Sequence, residues 1–411
     1  MPQLRPFHGV RYAHPEELAE IVCPPYDVIT AEEQAKLHDR HPHNAVRVEL
    51  PFSGNHDAMG RYEKAARQFV DWMQSQVLQR DSRPCLYVYR QDFTWRGTRR
   101  RVAGVIGALD LEELGTGSGI LPHERTMPGP IEDRLALLRA CPVNISPIYA
   151  IYRGAGALAP FFDSLEGRPP DARLADDHGT LHRLWAINAQ AETELLSDAV
   201  AAGPLVIADG HHRYETALAY SREWETRGSH DAVMCFCADA DVEDLNVLPY
   251  HRAIESDLDP AEVKARLLGE WSARRVDGTV AHRVLEHSAA DHSFLVALPG
   301  EELLLEVDED FVSSAVGDQP AAWRSLDVVA LHEAVLPRLL PEGVTRLRFS
   351  SDEDEVRRLV TQESWTAAVL LKPLDAVQVV EVARAAKRMP QKASYFWPKA
   401  VTGLVFRPLY G

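Results

Sequence analysis

The chain has 411 residues, of which 45% are hydrophobic and 26% charged, as in a folded globular protein with room for two or three domains. Its formal net charge of −17 argues against nonspecific binding to nucleic acid or to an anionic membrane, because both need a basic surface. No run of 18 apolar residues occurs, and the N-terminus lacks the apolar core of a signal peptide. The five cysteines are scattered along the chain, which fits a reducing compartment, so we expect a cytoplasmic protein.

The first half of the chain alternates predicted helices and strands without a regular repeat. Two strand-like runs flank a charged turn at Gly97, as the two arms of a hairpin would. The Gly-, Pro- and Ala-rich stretch 154–170 is a candidate connection between subdomains, although Phe161, Phe162 and Leu165 indicate a short packed helix within it. In chain order, the predicted elements are helices at 31–39 and 56–78, hairpin strands at 85–90 and 102–109, a helix at 130–140 and a strand at 146–152.

The second half begins with a short β-branched apolar run at 204–208, followed by a helix in which Tyr214, Ala217 and Leu218 share one face. Further along, the predicted elements are an apolar strand at 232–238, amphipathic helices within 260–385, and strands at 293–298 and 366–371. The whole pattern predicts an α+β protein with mixed sheets.

The junction at Asp209 and Gly210 joins the predicted strand to the predicted helix and is the most informative part of the chain. Asp is a good N-cap, and Gly lets the oxygens of a ligand approach the free backbone N–H groups, where the helix dipole attracts negative charge. His211, His212 and Arg213 add side-chain donors in the first turn, where cations are disfavoured unless an anion sits there. The junction therefore predicts a bound anion such as phosphate.

Two other interpretations of this junction are open. It could be an ordinary strand-to-helix turn with polar side chains on it. A zinc site is less favoured, because the adjacent residues His211 and His212 point about 100° apart on a helix and cannot chelate one metal. The cysteines offer no paired motif either, since Cys235 and Cys237 flank Phe236 in an apolar run and are predicted to lie on one face of a strand.

The sequence Asp209-Gly-His-His-Arg213 and the helix after it resemble the phosphate-binding motif of the ParB and sulfiredoxin superfamily. Within that superfamily the chain is similar to the free serine kinases, which transfer a phosphoryl group from ADP or ATP to the hydroxyl of L-serine. The whole chain also resembles the family known as domain of unknown function 1015. The segments that carry this second resemblance are 5–12, 24–29, 123–126, 144–148, 248–252 and 389–399. One departure is Ala393, where the family pattern leads us to expect a serine after Lys392.

These resemblances imply a ParB/sulfiredoxin-like nucleotide-binding and catalytic region at 1–255 with an N-terminal elaboration. They place a C-terminal α/β region at 256–411, whose tail returns to the active site. The implied activity is a kinase that uses ADP or ATP with Mg²⁺ to phosphorylate the hydroxyl of a small metabolite, L-serine or a related hydroxy amino acid. The alternatives are a ParB-like nucleotide-binding switch that phosphorylates no metabolite, and a scaffold that has lost nucleotide binding. The expected partner is a small-molecule substrate, and binding to nucleic acid or to a membrane is not expected. A homodimer is one possible assembly.

Phosphoryl transfer needs phosphate positioning, charge neutralisation and a group that takes the proton of the acceptor. The free serine kinases use a glutamate upstream of the phosphate motif, and Glu124 is the preferred counterpart because it lies in a Gly- and Pro-flanked loop; Glu49 and Glu132 remain open. Asp209 is expected to cap its helix and to contact the metal indirectly. Arg213 is expected to be a better phosphate ligand than His212, because a planar guanidinium can bind two phosphate oxygens at once.

The C-terminal segment adds two ammonium groups, those of Lys392 and Lys399, as a clamp for a terminal phosphate. Its aromatic residues at 395–397 either stack on adenine or simply tie the chain end to the core. The predicted site residues are Glu124, Asp209 and His211 as catalytic groups, Gly210, His211, His212, Arg213, Lys392 and Lys399 for the nucleotide phosphates, His123, His251 and Arg252 for the substrate, and Asp209 for the metal.

Overall fold

The computed structural model describes residues 1–52, 60–115, 117–124, 128–242 and 244–410. The chain divides into two compact units, which are described separately below. Unit 1 comprises Met1–Pro122, Thr126–Leu245 and Pro398–Gly411, and unit 2 comprises His123–Arg125 and Asn246–Trp397.

The strands are mostly short, and the long ones form the hairpin predicted around Gly97. They are β1 (Leu4–Arg5), β2 (Val10–Tyr12), β3 (Leu78–Arg80), β4 (Leu86–Trp95), β5 (Thr98–Asp110), β6 (Ile120–Pro122), β7 (Val143–Asn144), β8 (Ile148–Tyr152), β9 (Ala172–Ala175), β10 (Leu181–Ile187), β11 (Leu205–Asp209), β12 (Ala232–Asp239), β13 (Asn246–Leu248), β14 (His251–Glu255), β15 (Ser272–Val276), β16 (His292–Leu298), β17 (Glu301–Val307), β18 (Arg346–Ser350), β19 (Ala367–Leu370), β20 (Tyr395–Trp397) and β21 (Arg407–Pro408).

The helices often begin at a polar cap; Thr30, for example, forms a reciprocal capping box with Glu33 at the start of α2. They are α1 (Leu18–Ile21), α2 (Ala31–Arg40), α3 (Val46–Glu49), α4 (Arg61–Gln74), α5 (Pro128–Ala140), α6 (Ala159–Ser164), α7 (Gln190–Ala201), α8 (His211–Ser221), α9 (Pro260–Glu270), α10 (Ala281–Glu286), α11 (Glu309–Val316), α12 (Ala321–Arg324), α13 (Asp327–Val329), α14 (Leu336–Leu339), α15 (Glu353–Gln362) and α16 (Ala376–Arg384). A π-helical segment, Ala330–Val335, joins α13 to α14.

Unit 1 is built on a mixed sheet. Within its described residues the strand order is β6-β11-β8-β12-β5-β4-β10-β9, with β1 added beside β5. The β11–β6 and β12–β8 pairs are parallel, and the other pairs are antiparallel. One face carries the main apolar core, to which Val88, Ile148 and Cys235 contribute. The neighbouring residues of the same strands, such as Tyr89 and Phe236, point to the opposite face.

Unit 2 has an antiparallel sheet with the strand order β15-β17-β16-β19-β14-β18 among its described residues. Alternating residues feed two cores, because Phe294 and Val296 belong to one apolar cluster while Leu295 and Ala297 belong to another. Both faces of the sheet are therefore covered by helices. The protein is an α+β fold with several sheets, as the sequence predicts.

The structure corrects the interpretation of 154–170 as a connection between subdomains. Both ends of this segment lie inside unit 1, and Leu158 and Leu165 are buried in its core. The unit boundary after Leu245 also keeps β14 with its partners β18 and β19, whereas a break after residue 255 would separate them. The predicted helix at 56–78 is observed as Arg61–Gln74, with 56–59 outside the described residues. Every helix in the described part of the chain is too short or too polar to span a bilayer.

A buried histidine links the elements of unit 2 and makes its stability depend on pH. His292 contacts Asp327 through Nδ1 at 3.2 Å and Glu309 through Nε2 at 3.3 Å, and it is 1% exposed. Burial alone would lower the pKa of His292, but the bonds to Asp327 and Glu309 raise it above the ordinary value of 6.5. This stabilisation is therefore complete below pH 6.5 and is lost as the pH rises through the raised pKa.

We accordingly expect His292→Gln to be most destabilising in mild acid and less so in alkali. Urea unfolding of wild type and variant between about pH 5.5 and about pH 9 measures the difference in the free energy of unfolding. A difference that stays constant over this range would contradict the assignment of a charged His292.

Candidate functional site

The strand-to-helix junction predicted from the sequence is present in unit 1. The apolar residues 205–208 are buried as β11, and Asp209 is the last residue of that strand. Gly210 has φ of +85°, a left-handed conformation that glycine tolerates best, and it turns the chain directly into α8. The backbone N–H of Tyr214 donates to the carbonyl of Gly210 at 2.9 Å and closes the first turn.

The prediction that Asp209 caps this helix is wrong. Gly210, which has no side chain, holds the N-cap position. The reason is that the carboxylate of Asp209 is engaged by two cations: Oδ2 accepts from Arg213 Nη2 at 2.7 Å, and Oδ1 contacts Lys399 Nζ. Burial would raise the pKa of Asp209, but the charges of Lys399 and Arg213 hold it well below its usual range. The carboxylate is therefore ionised.

Arg213 ties the helix start to the chain that enters β8. Its Nη1 donates to Ser146 Oγ at 3.0 Å and to the carbonyl of Pro147 at 2.6 Å, while Nη2 is bound to Asp209. Burial would lower the pKa of Arg213, yet the charge of Asp209 raises it above the ordinary value. Two of its nitrogens are thus committed to protein partners, and its predicted grip on a phosphate remains a prediction.

Ser146 extends this network to a buried carboxylate, Glu49. The hydroxyl of Ser146 donates to Glu49 Oε1 at 2.8 Å, and the backbone N–H of Tyr26 donates to the same oxygen at 3.2 Å. Glu49 is 2% exposed, and its carbonyl accepts from Arg134 Nη1 at 2.7 Å. The guanidinium of Arg134 lies 4.3 Å from the centre of the Tyr26 ring, and burial raises the pKa of Tyr26 to about 12.

A cavity of about 60 Å³ lies beside this network. Its polar lining includes Tyr26, Glu49, Arg134, Ser146 and Arg213, and its apolar lining comes from α5, α8, β12 and the segment 143–145. A volume of this size admits a few waters or one small polar group. Continuous contacts therefore lead from the helix start at Asp209 to a carboxylate that lines a small polar cavity.

Gly210 is required here by its conformation and by the space around it. A Cβ atom added at Gly210 would lie 3.0 Å from Arg213 Nε and 3.1 Å from Ile148 Cγ2. We expect Gly210→Ala to lower the free energy of unfolding by roughly 2–3 kcal/mol, because the left-handed strain adds to the displacement of Arg213. Urea denaturation measures this change.

Gly97 supplies the matched control, because it has a similar φ of +79° and no atom within 4 Å of the added Cβ. Gly97→Ala should cost about 1 kcal/mol from backbone strain alone. Equal losses at the two positions would contradict the importance of the Gly210 contact with Arg213.

Several predicted residues lie together in unit 2. Glu124 Oε1 accepts the backbone N–H of Lys392 at 2.9 Å, and Lys392 has a positive φ of 56°. The ammonium of Lys392 lies 5.1 Å from the centre of the Tyr250 ring. His123 is fully buried, and its Nε2 is 2.8 Å from Ser394 Oγ. A residue buried to this degree does not fit the predicted contact with a substrate.

For His251 and Arg252 the sequence leaves two alternatives, a pair that binds a substrate carboxylate or phosphate and an exposed loop pair, and the exposed loop is wrong. They are successive residues of β14, both buried, and their side chains point to opposite faces. His251 Nδ1 accepts from the N–H of Leu371 at 3.2 Å, and burial lowers the pKa of His251 to about 4. Arg252 donates to His332 Nε2 at 3.1 Å and to the carbonyl of Lys392 at 2.9 Å, and burial lowers the pKa of Arg252 to about 9.

The residues at the helix start do not fit a directly bound Mg²⁺. Each oxygen of Asp209 already faces a cation, so a metal ion would have to displace Lys399 or Arg213. Across the described ranges, no group of three or more His, Cys, Asp or Glu side chains is arranged to hold a metal ion. The surroundings of Asp209 therefore do not support a direct bond to a metal ion, and the predicted indirect contact stays a prediction.

The structure brings Asp209, Gly210, Arg213 and Lys399 together as predicted neighbours, with His211 buried and His212 half-buried at the helix start. Sequence reasoning did not give Ser146 or Arg134 a role, and it left Glu49 as an open alternative. One signal was available, because Tyr26 and Ser146 belong to the segments 24–29 and 144–148 that carry the whole-chain resemblance.

Comparisons with known proteins give one family and several distant structures. The model of a family described as "Protein of unknown function (DUF1015)" matches residues 4–329. No curated protein matches the sequence. A free serine kinase in complex with AMP is 13% identical, covers 70% of this chain and 92% of its own, and superposes with a TM-score of 0.33.

Two other solved structures show similarity of the same order. A conserved hypothetical protein from Pyrococcus furiosus is 11% identical, with 70% of this chain and 92% of its own covered and a TM-score of 0.35. A C-terminally truncated SbnI from Staphylococcus aureus is 11% identical, with 74% and 87% covered and a TM-score of 0.39. Similarity this weak bears on neither the activity nor the substrate of this chain.

Proposed function

This chain belongs to the DUF1015 family, and we propose that it is a phosphotransferase that uses ADP or ATP to phosphorylate the hydroxyl of a small metabolite, with L-serine or a related hydroxy amino acid as the first candidate. The observation that carries the proposal is the contact chain from Asp209 through Arg213 and Ser146 to Glu49. It joins a helix start suited to phosphate with a buried carboxylate suited to a hydroxyl.

The start of α8 would hold the phosphates of the nucleotide. The first N–H groups of the helix carry the positive end of its dipole, which attracts a negatively charged group. The left-handed conformation of Gly210, with φ of +85°, turns the chain from β11 directly into α8 and so sets the helix start beside Asp209. The negative charge of Asp209 is matched by Arg213 and Lys399, which limits its repulsion of the incoming anion.

Glu49 would act on the acceptor. The acceptor hydroxyl oxygen attacks the terminal phosphorus, a new O–P bond forms, the bridging P–O bond breaks, and the hydroxyl proton passes to the carboxylate. The cavity beside Glu49 has room for a group as small as a hydroxymethyl, which favours small acceptors. Glu124 is the other candidate base, and its Oε1 accepts the N–H of Lys392.

The direct test is to incubate purified protein with ADP or ATP, Mg²⁺ and a panel of hydroxy amino acids, and to detect phosphorylated product by ³¹P NMR. We expect product with at least one acceptor, and its loss in Lys399→Met. The matched control is Lys264→Met, which removes another paired lysine, Lys264–Glu301, from unit 2. Nucleotide-dependent oligomerisation without product would overturn the kinase in favour of a nucleotide-binding switch, and absence of any nucleotide binding would overturn both.

A further inference from the structure

Lys399 lies on a segment whose backbone is fixed by side chains from the central sheet of unit 1. The carbonyl of Lys399 accepts a hydrogen bond from Gln91 Nε2 at 2.9 Å. Gln91 is fully buried in β4, a position where an apolar residue would cost less to desolvate. Its Oε1 is also buried, with no hydrogen-bond partner among the described residues. Burial of this amide therefore secures one contact, the one to Lys399.

Two residues further along, a second buried group reaches the same segment. The N–H of Val401 donates to Tyr89 Oη at 3.5 Å. Tyr89 lies on the same face of β4 as Gln91, because residues two positions apart on a strand point to the same side. Tyr89 Oη is 2.7 Å from His182 Nδ1, and His182 Nε2 is 3.1 Å from Asp176 Oδ2.

The donors along these contacts can all point one way. Val401 N–H donates to the oxygen of Tyr89, the Tyr89 hydroxyl donates to His182 Nδ1, and His182 Nε2–H donates to Asp176. The tautomer with the proton on Nε2 satisfies every member. Burial raises the pKa of Tyr89, so its hydroxyl keeps the proton that this arrangement needs.

The far end of the segment is fixed as well. Thr402 and Cys23 exchange two backbone hydrogen bonds, from Cys23 N at 3.1 Å and from Thr402 N at 2.8 Å. The backbone from 399 to 402 is therefore held at Lys399 O, Val401 N and Thr402. With the backbone fixed, the side chain of Lys399 reaches Asp209, and Asp27 lies 3.9 Å from its ammonium.

We propose that Gln91, and the contacts Tyr89–His182–Asp176, are positioning residues that hold the Lys399 ammonium against Asp209 at the nucleotide site. The inference rests on the proposed function for its consequence, which is the affinity for a nucleotide phosphate. None of these four residues needs to touch the nucleotide, because each acts through the backbone of the Lys399 segment.

The test is a double-mutant cycle on ADP binding measured by calorimetry. Gln91→Met, which keeps the length of the side chain but removes the amide, should weaken ADP binding by about 3–10-fold, the equivalent of one lost hydrogen bond. In a Lys399→Met background the same change should have no further effect. Equal losses in both backgrounds, or unchanged affinity, would overturn the inference.

Tyr89→Phe is the second variant, because it removes only the hydroxyl and keeps the ring packed against Phe236. It should reproduce the Gln91→Met effect in direction and show the same dependence on Lys399. Thermal unfolding of both variants identifies any general loss of structure.

If the protein binds no ADP, the proposed function is refuted. The positioning role of Gln91 and Tyr89 is then tested separately by NMR of the Lys399 side chain. Reductive ¹³C-methylation labels the lysines, and the Lys399 resonance is assigned by its absence in Lys399→Met. Positioning predicts that this resonance and its titration change in Gln91→Met and Tyr89→Phe. An unchanged Lys399 resonance in both variants would overturn the inference whatever the protein binds.

Discussion

Replacing Asp209 with asparagine is expected to lower the free energy of unfolding by roughly 3–5 kcal/mol, a loss typical of breaking a buried ion pair from one side. The side chains of Asp209, Arg213 and Lys399 are 15%, 11% and 11% exposed, so both cations would stay in a largely dry environment without their counter-charge. The neutral amide still accepts one hydrogen bond but neutralises neither cation.

Urea denaturation of Asp209→Asn measures this loss, and Asp177→Asn is the matched control. Asp177 pairs with Arg40 at a similar distance of 2.6 Å, but it is 69% exposed, so its removal should change stability by about 1 kcal/mol or less. Comparable effects at the two positions would show that the Asp209 pairs are as solvated as a surface pair.

The stability difference between wild type and Asp209→Asn is expected to depend on pH, because the carboxylate of Asp209 titrates in acid. The pKa of Asp209 is held below its ordinary value of 3.8, so its stabilisation is present above that pH and is lost as the pH falls through the folded-state pKa. The stability difference between wild type and Asp209→Asn should therefore shrink in strong acid. A difference that grows on acidification would contradict the ion pairs.

Local patterns in the sequence were sufficient for the parts of the fold that depend on neighbouring residues. The hairpin of β4 and β5 follows from two strand-like runs around Gly97. The β11–α8 junction follows from an apolar run, a glycine and a change from the strand period to the helix period. The predicted strand with Cys235 and Cys237 on one face is confirmed, and their sulfurs lie 3.5 Å apart.

Predictions failed where distant segments decide the structure. Leu78–Arg80 continues the helical pattern of the preceding residues, but it forms a strand because β2 lies beside it. His251 and Arg252 follow a Pro and a Tyr, as a loop would, yet β18 and β19 draw them into a sheet. Tertiary pairing overrides local preference at both places.

In the candidate site too, the sequence predicts what neighbouring residues decide and misses what distant segments decide. The motif at 209–213 is contiguous and was readable from its residues, but its partners are remote, since Lys399 lies 190 residues from Asp209 and Glu49 lies 97 residues from Ser146. No periodicity or spacing connects such positions in a single sequence. For this reason the sequence alone leaves Glu49 and Glu124 as alternative bases, and a kinetic comparison distinguishes them.

Replacing Glu49 with glutamine is expected to reduce the rate of phosphoryl transfer by about 10²–10⁴-fold, the usual contribution of a general base. The substitution keeps an oxygen in the Oε1 position, so Ser146 Oγ and the N–H of Tyr26 retain their acceptor. The fold should therefore survive, and ADP affinity should stay near that of wild type because the proposed function places the phosphates at the helix start and not at Glu49.

Glu124→Gln is the matched variant, since an amide oxygen can likewise keep the hydrogen bond from the N–H of Lys392. Single-turnover rates with saturating nucleotide and acceptor separate chemistry from binding in both variants. If Glu49 is the base, only Glu49→Gln loses the chemical step, while Glu124→Gln keeps a rate near that of wild type. A loss confined to Glu124→Gln would return the base role to the residue that the sequence favoured, because a carboxylate that takes the proton cannot be replaced by an amide without loss of rate.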